Sequence, residues 1–499
     1  MVSPSIAVGL FTTICKEAGA EVRLFETTAY DDEAASTHAT KEKFGAGQQI
    51  RNYVDAFENV YPTNQMIPDL IETVEEYKPD LILMSCVEDT FRDGTMMLEA
   101  IEPFNIPHIM GGVFPINAPW QALDNPHVNV ICRYEGEQVV RDALAGIPLN
   151  EIKGLWWKDG DKVVQNPPQE LVNISDTYID YSLYRSERFY RPIGGRIVKT
   201  VQLETYRGCP YSCTYCNSPT TRLMDRNFLR RKDLTVLRAE MERMVEELNP
   251  DYWFILDDSF TARPRKELFA LLELLEEFGL PWWCNTRLDD IDDEILAAMK
   301  KAHCDRIQFG IESGNEEYRI NVLKRRVKQD VYLEKADMLN RSGVPYGLNA
   351  IIGMPHESKD MVLETAKLCK AVGGYDGLGV SIFIPYWGTE LREVAVSAGF
   401  MEYDNIGSDG GFQDKPILEM PPPYLSNAET FELASKFKYY TYFDEKFWPE
   451  IDAATDMAPW EEIYQREFYY SDKAEGGRDR IEQKKRSPYA CAADPYVEF

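Results

Sequence analysis

No run of about 18 apolar residues occurs in this sequence, so no helical membrane span is expected from it. The first residues lack the basic stretch and apolar core of a secretory signal, and the expectation is a soluble, cytoplasmic protein. Cysteine is scarce. Ten in 499 residues are too few for a disulfide scaffold, and in a reducing compartment they are free thiols or metal ligands. Histidine is scarcer, with only His38, His108, His127, His303 and His356. Positive charge is outweighed, because 54 Lys and Arg against 83 Asp and Glu leave a net charge of −29. Such a field repels polyanions, so nucleic acid is not an expected partner, and the excess charge is read as solvation of a large surface. No repeat of fixed period is found.

What the sequence does contain is enough for two to three domains, since 499 residues with 44% hydrophobic content can bury more than one core. Between residues 20 and 146 short apolar runs at 22–25, 81–85, 108–110 and 128–131 read as strands. Amphipathic segments such as 66–77 lie between them, which is the pattern of a doubly wound, mostly parallel α/β sheet. Ligands in such sheets sit at the carboxyl ends of the strands. One rim would then carry Ser85 to Asp89, Gly111-Gly112 and Glu135-Gly136-Glu137. Leu155-Trp156-Trp157 and Val163-Val164 around Asp159-Gly160-Asp161 signal a hairpin, followed by a Tyr-rich connector to about residue 195.

From 198 to about 400, six strand-like runs (200–205, 253–256, 282–284, 306–311, 346–352 and 380–384) each precede a helical pattern. Six successive β/α units imply a barrel or a partial one, with active residues on the loops after the strands. Pro421-Pro422-Pro423 stops regular structure, and Ser426 with Glu429 opens a helix as a capping box. The expected division is therefore 1–150, 151–195, 196–400 and a helical appendage at 401–499, within which 473–486 reads as disordered.

Chemistry concentrates directly after the first of the six strands, in Arg207-Gly208-Cys209-Pro210-Tyr211-Ser212-Cys213-Thr214-Tyr215-Cys216. Gly208 and Pro210 keep the loop irregular, so three thiolates within eight residues can converge on a soft-metal centre. Three ligands to a four-iron cube leave one iron open for a small molecule. A structural zinc site and a Cys213/Cys216 redox pair are the competing readings. The first lacks a second ligand pair nearby, and the second leaves Cys209 unexplained.

The CxxxCxΦC spacing, with Tyr215 before the last cysteine, resembles the cluster motif of the radical S-adenosylmethionine (SAM) superfamily. The resemblance implies a 4Fe-4S cluster on Cys209, Cys213 and Cys216, with SAM chelated to the open iron and split to a 5′-deoxyadenosyl radical. It also implies SAM-holding positions at Tyr215, Asp257, Asp258, Asn285, Arg287, Gln308, Glu312 and Asn349, and family-like turns at Gly353-Met354-Pro355 and 385–389. Capping is an equally plain account of Ser259, and turn-shaping of those glycines and prolines.

The first domain resembles the cobalamin-binding domain of one branch of that superfamily, which implies cofactor contacts at Ser85, Gly111, Gly112, Gly136 and Glu137. There is no Asp-x-His-x-x-Gly, so no histidine is expected as a lower ligand to cobalt. The family's first strand falls ahead of Pro4, where three residues stand, giving the expectation of a start further upstream or a decayed domain.

The whole resemblance implies a cobalamin-dependent radical SAM methyltransferase acting on a small molecule, lipid or peptide, reduced by a flavodoxin- or ferredoxin-like donor. A radical cyclase or rearrangement enzyme and a non-catalytic cobalamin or cluster sensor are the alternatives. Cys15, Cys86, Cys132, Cys284, Cys304 and Cys369 read as buried apolar residues, and Cys491 as a bystander. Phe437, Tyr439, Tyr440, Tyr442, Phe443, Phe447 and Trp448 read as core, or as a wall of the substrate pocket.

Overall fold

A computed structural model describes residues 4–27, 30, 65–193, 196–225, 227–406 and 415–469. The segment 473–486, Cys491 and His38 lie outside the described residues. Two sheets carry the α/β architecture, joined to a helical C-terminal region.

The first sheet contains β1 (Ile82–Ser85), β2 (His108–Gly111) and β3 (Val130–Cys132) in parallel, followed by β4 (Leu155–Asp159) and β5 (Lys162–Gln165). The Asp159-Gly160-Asp161 hairpin adds β4 antiparallel to β3, so this sheet continues past residue 150. Helix Met66–Tyr77 buries Leu70 and Val74, four residues apart and so on one face, and ends where Lys78 turns left-handed.

One expected strand is absent. Residues 22–25 form no ladder, and β1 is the edge of the described sheet. Their alternation has another cause: Val22 rests against Ile14, Cys15 and Val140, and Phe25 stacks on Tyr30, while Arg23 turns outward to Glu76. Helix Ile6–Glu17 packs closely on the 178–180 connector, where Asp180 N–H donates to the Gly9 carbonyl. A Cβ at Gly9 would lie 2.4 Å from Ile179, so glycine permits that approach.

The second sheet begins with an antiparallel pair, β6 (Tyr190–Ile193) and β7 (Arg196–Leu203). After the small ribbon of β8 (Tyr206–Arg207) and β9 (Arg230–Arg231) come β10 (Tyr252–Ile255), β11 (Trp282–Asn285), β12 (Cys304–Glu312), β13 (Tyr346–Ile352) and β14 (Gly377–Ile382). The order β14-β13-β12-β11-β10-β7-β6 makes six consecutive parallel strands, a curled half-barrel closed at one side by the β6 edge. Helices return the chain between them. Several start at side-chain caps, including Asp233 on Thr235 N–H and Asp292 on Ile295 N–H, both at 2.8 Å. The strands are apolar and buried on the helix side, as parallel strands covered by helices must be.

The expected capping box forms: Ser426 N–H donates to Glu429 at 2.9 Å and Glu429 N–H donates back to Ser426 Oγ at 3.3 Å. Helix Asn427–Tyr442 then packs on helix Lys359–Val372 and against β14, covering a sheet edge that would otherwise present unpaired backbone groups. Phe437, Tyr439, Tyr440, Tyr442 and Phe443 are buried in this core, so the aromatic run is packing. Lys436 and Lys438 are buried with it, paired to Glu432 and Glu461.

Candidate active site

Strand β7 ends at Leu203, and the chain leaves it through a loop fixed from several sides. Gly208 adopts φ +102°, and a Cβ there would lie 2.8 Å from Phe228, so the backbone before Cys209 is passable only to glycine. Thr214 donates to the Val322 carbonyl at 2.9 Å and its own carbonyl accepts from Leu391 N–H at 2.8 Å. Arg222 clasps the loop, donating to the Cys209 and Pro210 carbonyls and to Ser212 Oγ.

Cys213 is buried and Cys209 and Cys216 are half-buried. Burial pushes the Cys209 thiol up to about 12, with Asp258 and the other two cysteines adding to it, and burial raises Cys216 as well. Among the described residues no three His, Cys, Asp or Glu side chains close on a point as a single-ion site requires. A bound soft-metal centre would turn these thiols into thiolate ligands.

Beside the loop, the fourth strand carries Glu312 at φ +64°, in the left-handed region, with a register shift against β13. Its carboxylate folds over Gly310, where a Cβ would collide with Oε1 at 1.8 Å. Glu312 accepts from Tyr215 Oη at 3.2 Å and lies 3.8 Å from Arg325, which also donates to the Gly310 carbonyl at 2.6 Å. Burial pushes the Glu312 acid up, against the pull of Arg325 and Tyr215. Gln308 Nε2 donates to Asn349 Oδ1 at 2.8 Å, and Gly347 makes room for Gln308, because a Cβ there would meet its Oε1 at 2.2 Å. Arg287 is buried, clamped by both Asp289 oxygens, and points Nη1 at Cys213 Sγ 3.9 Å away. Asn285 closes β11, half-buried, and its carbonyl accepts from Phe260 N–H at 2.9 Å.

The neighbouring aspartates part company. Asp257 is buried and accepts from Thr205 N–H at 2.8 Å, Tyr206 N–H at 3.0 Å, Thr205 Oγ1 and Arg263. Both its oxygens are taken up in holding the turn after β7. Asp258 meets solvent at its tip although protein crowds around it, and Ser218 Oγ donates to it at 3.3 Å. Burial raises its acid, with Asp257 and Glu204 adding and Ser218 opposing.

The two sheets face each other across this loop. A cavity of about 260 Å³ is lined by Val87, Glu88 and Asp89 after β1, Val113, Phe114 and Asn117 after β2, Asn217 of the cysteine loop, and Tyr386 and Trp387 after β14. Bonds tie the walls together: Trp387 N–H donates to Glu88 at 2.9 Å, and Asn217 Nδ2 to the Trp387 carbonyl at 2.6 Å. Of the expected rim residues, Ser85 and Gly111 end their strands. Gly112 has φ +102°, and a Cβ there would lie 2.2 Å from the Cys86 carbonyl oxygen. A Cβ at Gly136 would lie 2.5 Å from the far end of the Phe11 ring, which would have to shift to admit it. Glu137 is buried and accepts from Arg207 at 2.8 Å, beside Glu135, which Arg207 and Arg230 also contact.

Residues 203–369 match the Radical SAM superfamily. The chain carries a radical SAM domain over those residues. Cytidylyl-2-hydroxyethylphosphonate methyltransferase of Streptomyces wedmorensis is 24% identical over 462 residues, covering 80% of this chain and 83% of that one. Anaerobic magnesium-protoporphyrin IX monomethyl ester cyclase of Cereibacter sphaeroides is 24% identical over 341 residues, 65% of this chain and 54% of its own length. Among solved structures, the radical SAM methyltransferase TsrM of Kitasatospora setae, with cobalamin and a 4Fe-4S cluster bound, has a TM-score of 0.62 at 15% identity. That match covers 90% of this chain and 87% of TsrM, and at this identity it establishes a shared fold.

Several site residues escape a reading of the sequence. Arg207, Arg222, Arg263 and Arg325 bind the loop and the carboxylates around it. Asn217 joins them, bonded to Trp387 in the family-like turn at 385–389, and only its proximity to Cys216 could have drawn attention to it. Among the described residues no helix is long and apolar enough to cross a membrane.

Proposed function

We propose that this radical SAM enzyme is a cobalamin-dependent methyltransferase that alkylates a carbon of a small molecule, lipid or peptide. One observation carries the reading: a cavity whose walls come at once from the carboxyl rim of the first sheet and from the cysteine loop of the second. Cys209, Cys213 and Cys216 would hold a 4Fe-4S cluster, which when bound supplies one-electron reduction of SAM. Val87 and Val113, 42% and 45% exposed on the cavity wall, suit the flat apolar face of a corrin, which when bound supplies a methyl-carrying cobalt.

The remaining work belongs to the chain's own groups. Glu312 and Arg325 form a buried pair beside Tyr215 and are suited to grip the ammonium and carboxylate of an amino acid, as are Asp258 and the Gln308–Asn349 amides for its polar parts. Asp257 holds the strand end on which they depend. Phe114 and Trp387 keep water from the inner cavity, where a radical needs a dry site. In this reading residues 1–150 form the cobalamin domain, 151–195 the hairpin and linker, 196–400 the barrel and 401–499 the closing appendage.

The test is anaerobic purification with iron, sulfide and cobalt analysis, followed by SAM and a reductant such as flavodoxin. Release of 5′-deoxyadenosine, its loss in Cys216→Ala, and cobalt retained by the first domain are the expected results. If wild type and Cys216→Ala release equal amounts, the enzyme reading fails; without cobalt, the methyltransferase reading fails. The cyclase relative favours one second reading, ring formation without net methylation. Product mass separates the two, because methylation adds CH₂.

A further inference from the structure

Cys213 is the most enclosed of the three loop cysteines, and Arg287 brings a guanidinium N–H within 3.9 Å of its sulfur. Arg287 is 6% exposed, and three contacts fix its guanidinium plane. Asp289 accepts from Nε at 3.1 Å and from Nη2 at 2.8 Å; the Tyr211 ring lies 3.9 Å from Cζ; and Nη1, left over by the Asp289 clamp, stands 3.9 Å from Cys213 Sγ. Tyr211 is itself anchored through its hydroxyl to Asp290. The other buried guanidinium of this region, Arg325, is occupied by Glu312, Tyr332, Tyr215 and the Gly310 carbonyl. Sequence position alone would assign Arg287 to SAM, yet its geometry turns it toward the loop.

We infer that Arg287 is a positioning residue that sets the reduction potential of the centre held by Cys213, through an N–H···S contact oriented by Asp289 and Tyr211. The inference rests on the cluster reading proposed above. A reduced cluster carries one more negative charge than the oxidised one, and hydrogen bonds to ligand sulfurs stabilise that form. In a desolvated site the effect of one guanidinium is large, because water does not screen it. Asp289 opposes it: the carboxylate holds the guanidinium in place and at the same time offsets part of its charge.

The experiment is an EPR-monitored redox titration of the reconstituted full-length chain without SAM, on wild type, Arg287→Met, Arg287→Lys and Asp289→Asn. Iron content and SAM affinity are measured on the same samples. Arg287→Met is expected to disfavour reduction about tenfold, a midpoint more negative by about 59 mV for a one-electron couple. Arg287→Lys should recover part of that shift, and Asp289→Asn should move the midpoint the opposite way. Full iron content with unshifted midpoints overturns the inference, as does a loss of SAM affinity with the midpoint unchanged, which would make Arg287 a SAM contact. Loss of iron in every variant would make it a prop for the loop and would overturn the inference too. A wild-type chain that takes up no cluster overturns the cysteine reading itself, and that outcome is visible before any variant is compared.

Discussion

The two rims that meet at the cavity are built from opposite materials. On the barrel side, buried charges dominate: Asp257 with Arg263, Glu312 with Arg325, Arg287 with Asp289. On the side of the first sheet the surface turned to the cavity is largely apolar, with Val87, Val113 and Phe114, and its carboxylates are engaged with the barrel rather than standing open. Both sheets present the carboxyl ends of parallel strands, so topology alone does not distinguish the two rims. The difference teaches that the barrel rim is suited to a small charged ligand and the other rim to a broad apolar one. Two further carboxylates of the first sheet's rim, Glu135 and Glu137, are likewise engaged with the barrel. Arg207, two residues before Cys209, draws both of them toward the cysteine loop.

The largest expected effect would sharpen the contrast within the barrel rim. Asp257→Ala leaves the Arg263 guanidinium buried without its partner and should cost about 3–5 kcal/mol of stability, read by denaturant unfolding. Asp258→Asn should leave the unfolding midpoint in place and weaken SAM binding instead. Equal destabilisation by both would erase the distinction between a structural and a ligand-facing carboxylate.

Gly112→Ala tests the opposite rim. With φ +102° and the Cys86 backbone 2.2 Å from the new Cβ, backbone strain alone should cost about 1–3 kcal/mol. A variant that melts like wild type but loses cobalamin would show that this glycine serves the ligand rather than the fold.

A smaller effect, spread over pH, comes from Glu357 behind β13. It is fully buried, accepts from Gly353 N–H at 2.6 Å and Met354 N–H at 3.3 Å, and its Oε1 has no partner among the described residues. Burial pushes its acid from 4.5 up to about 8, against those two donors. Because the folded value is the higher one, its stabilisation is complete below the unfolded value and is lost as pH rises from about 4.5 to 8. Glu357→Gln should remove up to about 1.4 kcal/mol per pH unit of that slope, measured as unfolding free energy against pH. An unchanged slope would mean that the barrel tolerates an ionised buried carboxylate here.

The smallest effect on stability should accompany a large effect on ligand retention. Val113→Glu, at a position 45% exposed, should change stability by no more than about 0.5 kcal/mol while lowering cobalt retained after anaerobic purification. Unaltered retention would remove the apolar rim from the proposed corrin site.

Legibility followed distance along the chain. The cysteine loop, the six barrel strands, the hairpin and the Ser426/Glu429 capping box each depend on residues within a few positions of one another, and each is found where the sequence places it. Residues 22–25 misled because resting one side on a core gives the same alternation as a strand, and alternation carries no information about a hydrogen-bonded neighbour. Asp257 and Asp258 were indistinguishable as letters.

What the sequence determined by itself was the local chemistry: three thiols at close spacing on a loop after a strand, and a barrel-length succession of β/α units to hold it. What only the tertiary structure decided was which charged groups neutralise one another across long separations, as Arg207 does with Glu135 and Glu137, and Arg230 with Glu135. The physical reason is that spacing constrains neighbours directly, whereas a buried charge takes whichever partner the closed fold brings within reach, and that partner is fixed by packing rather than by position in the chain.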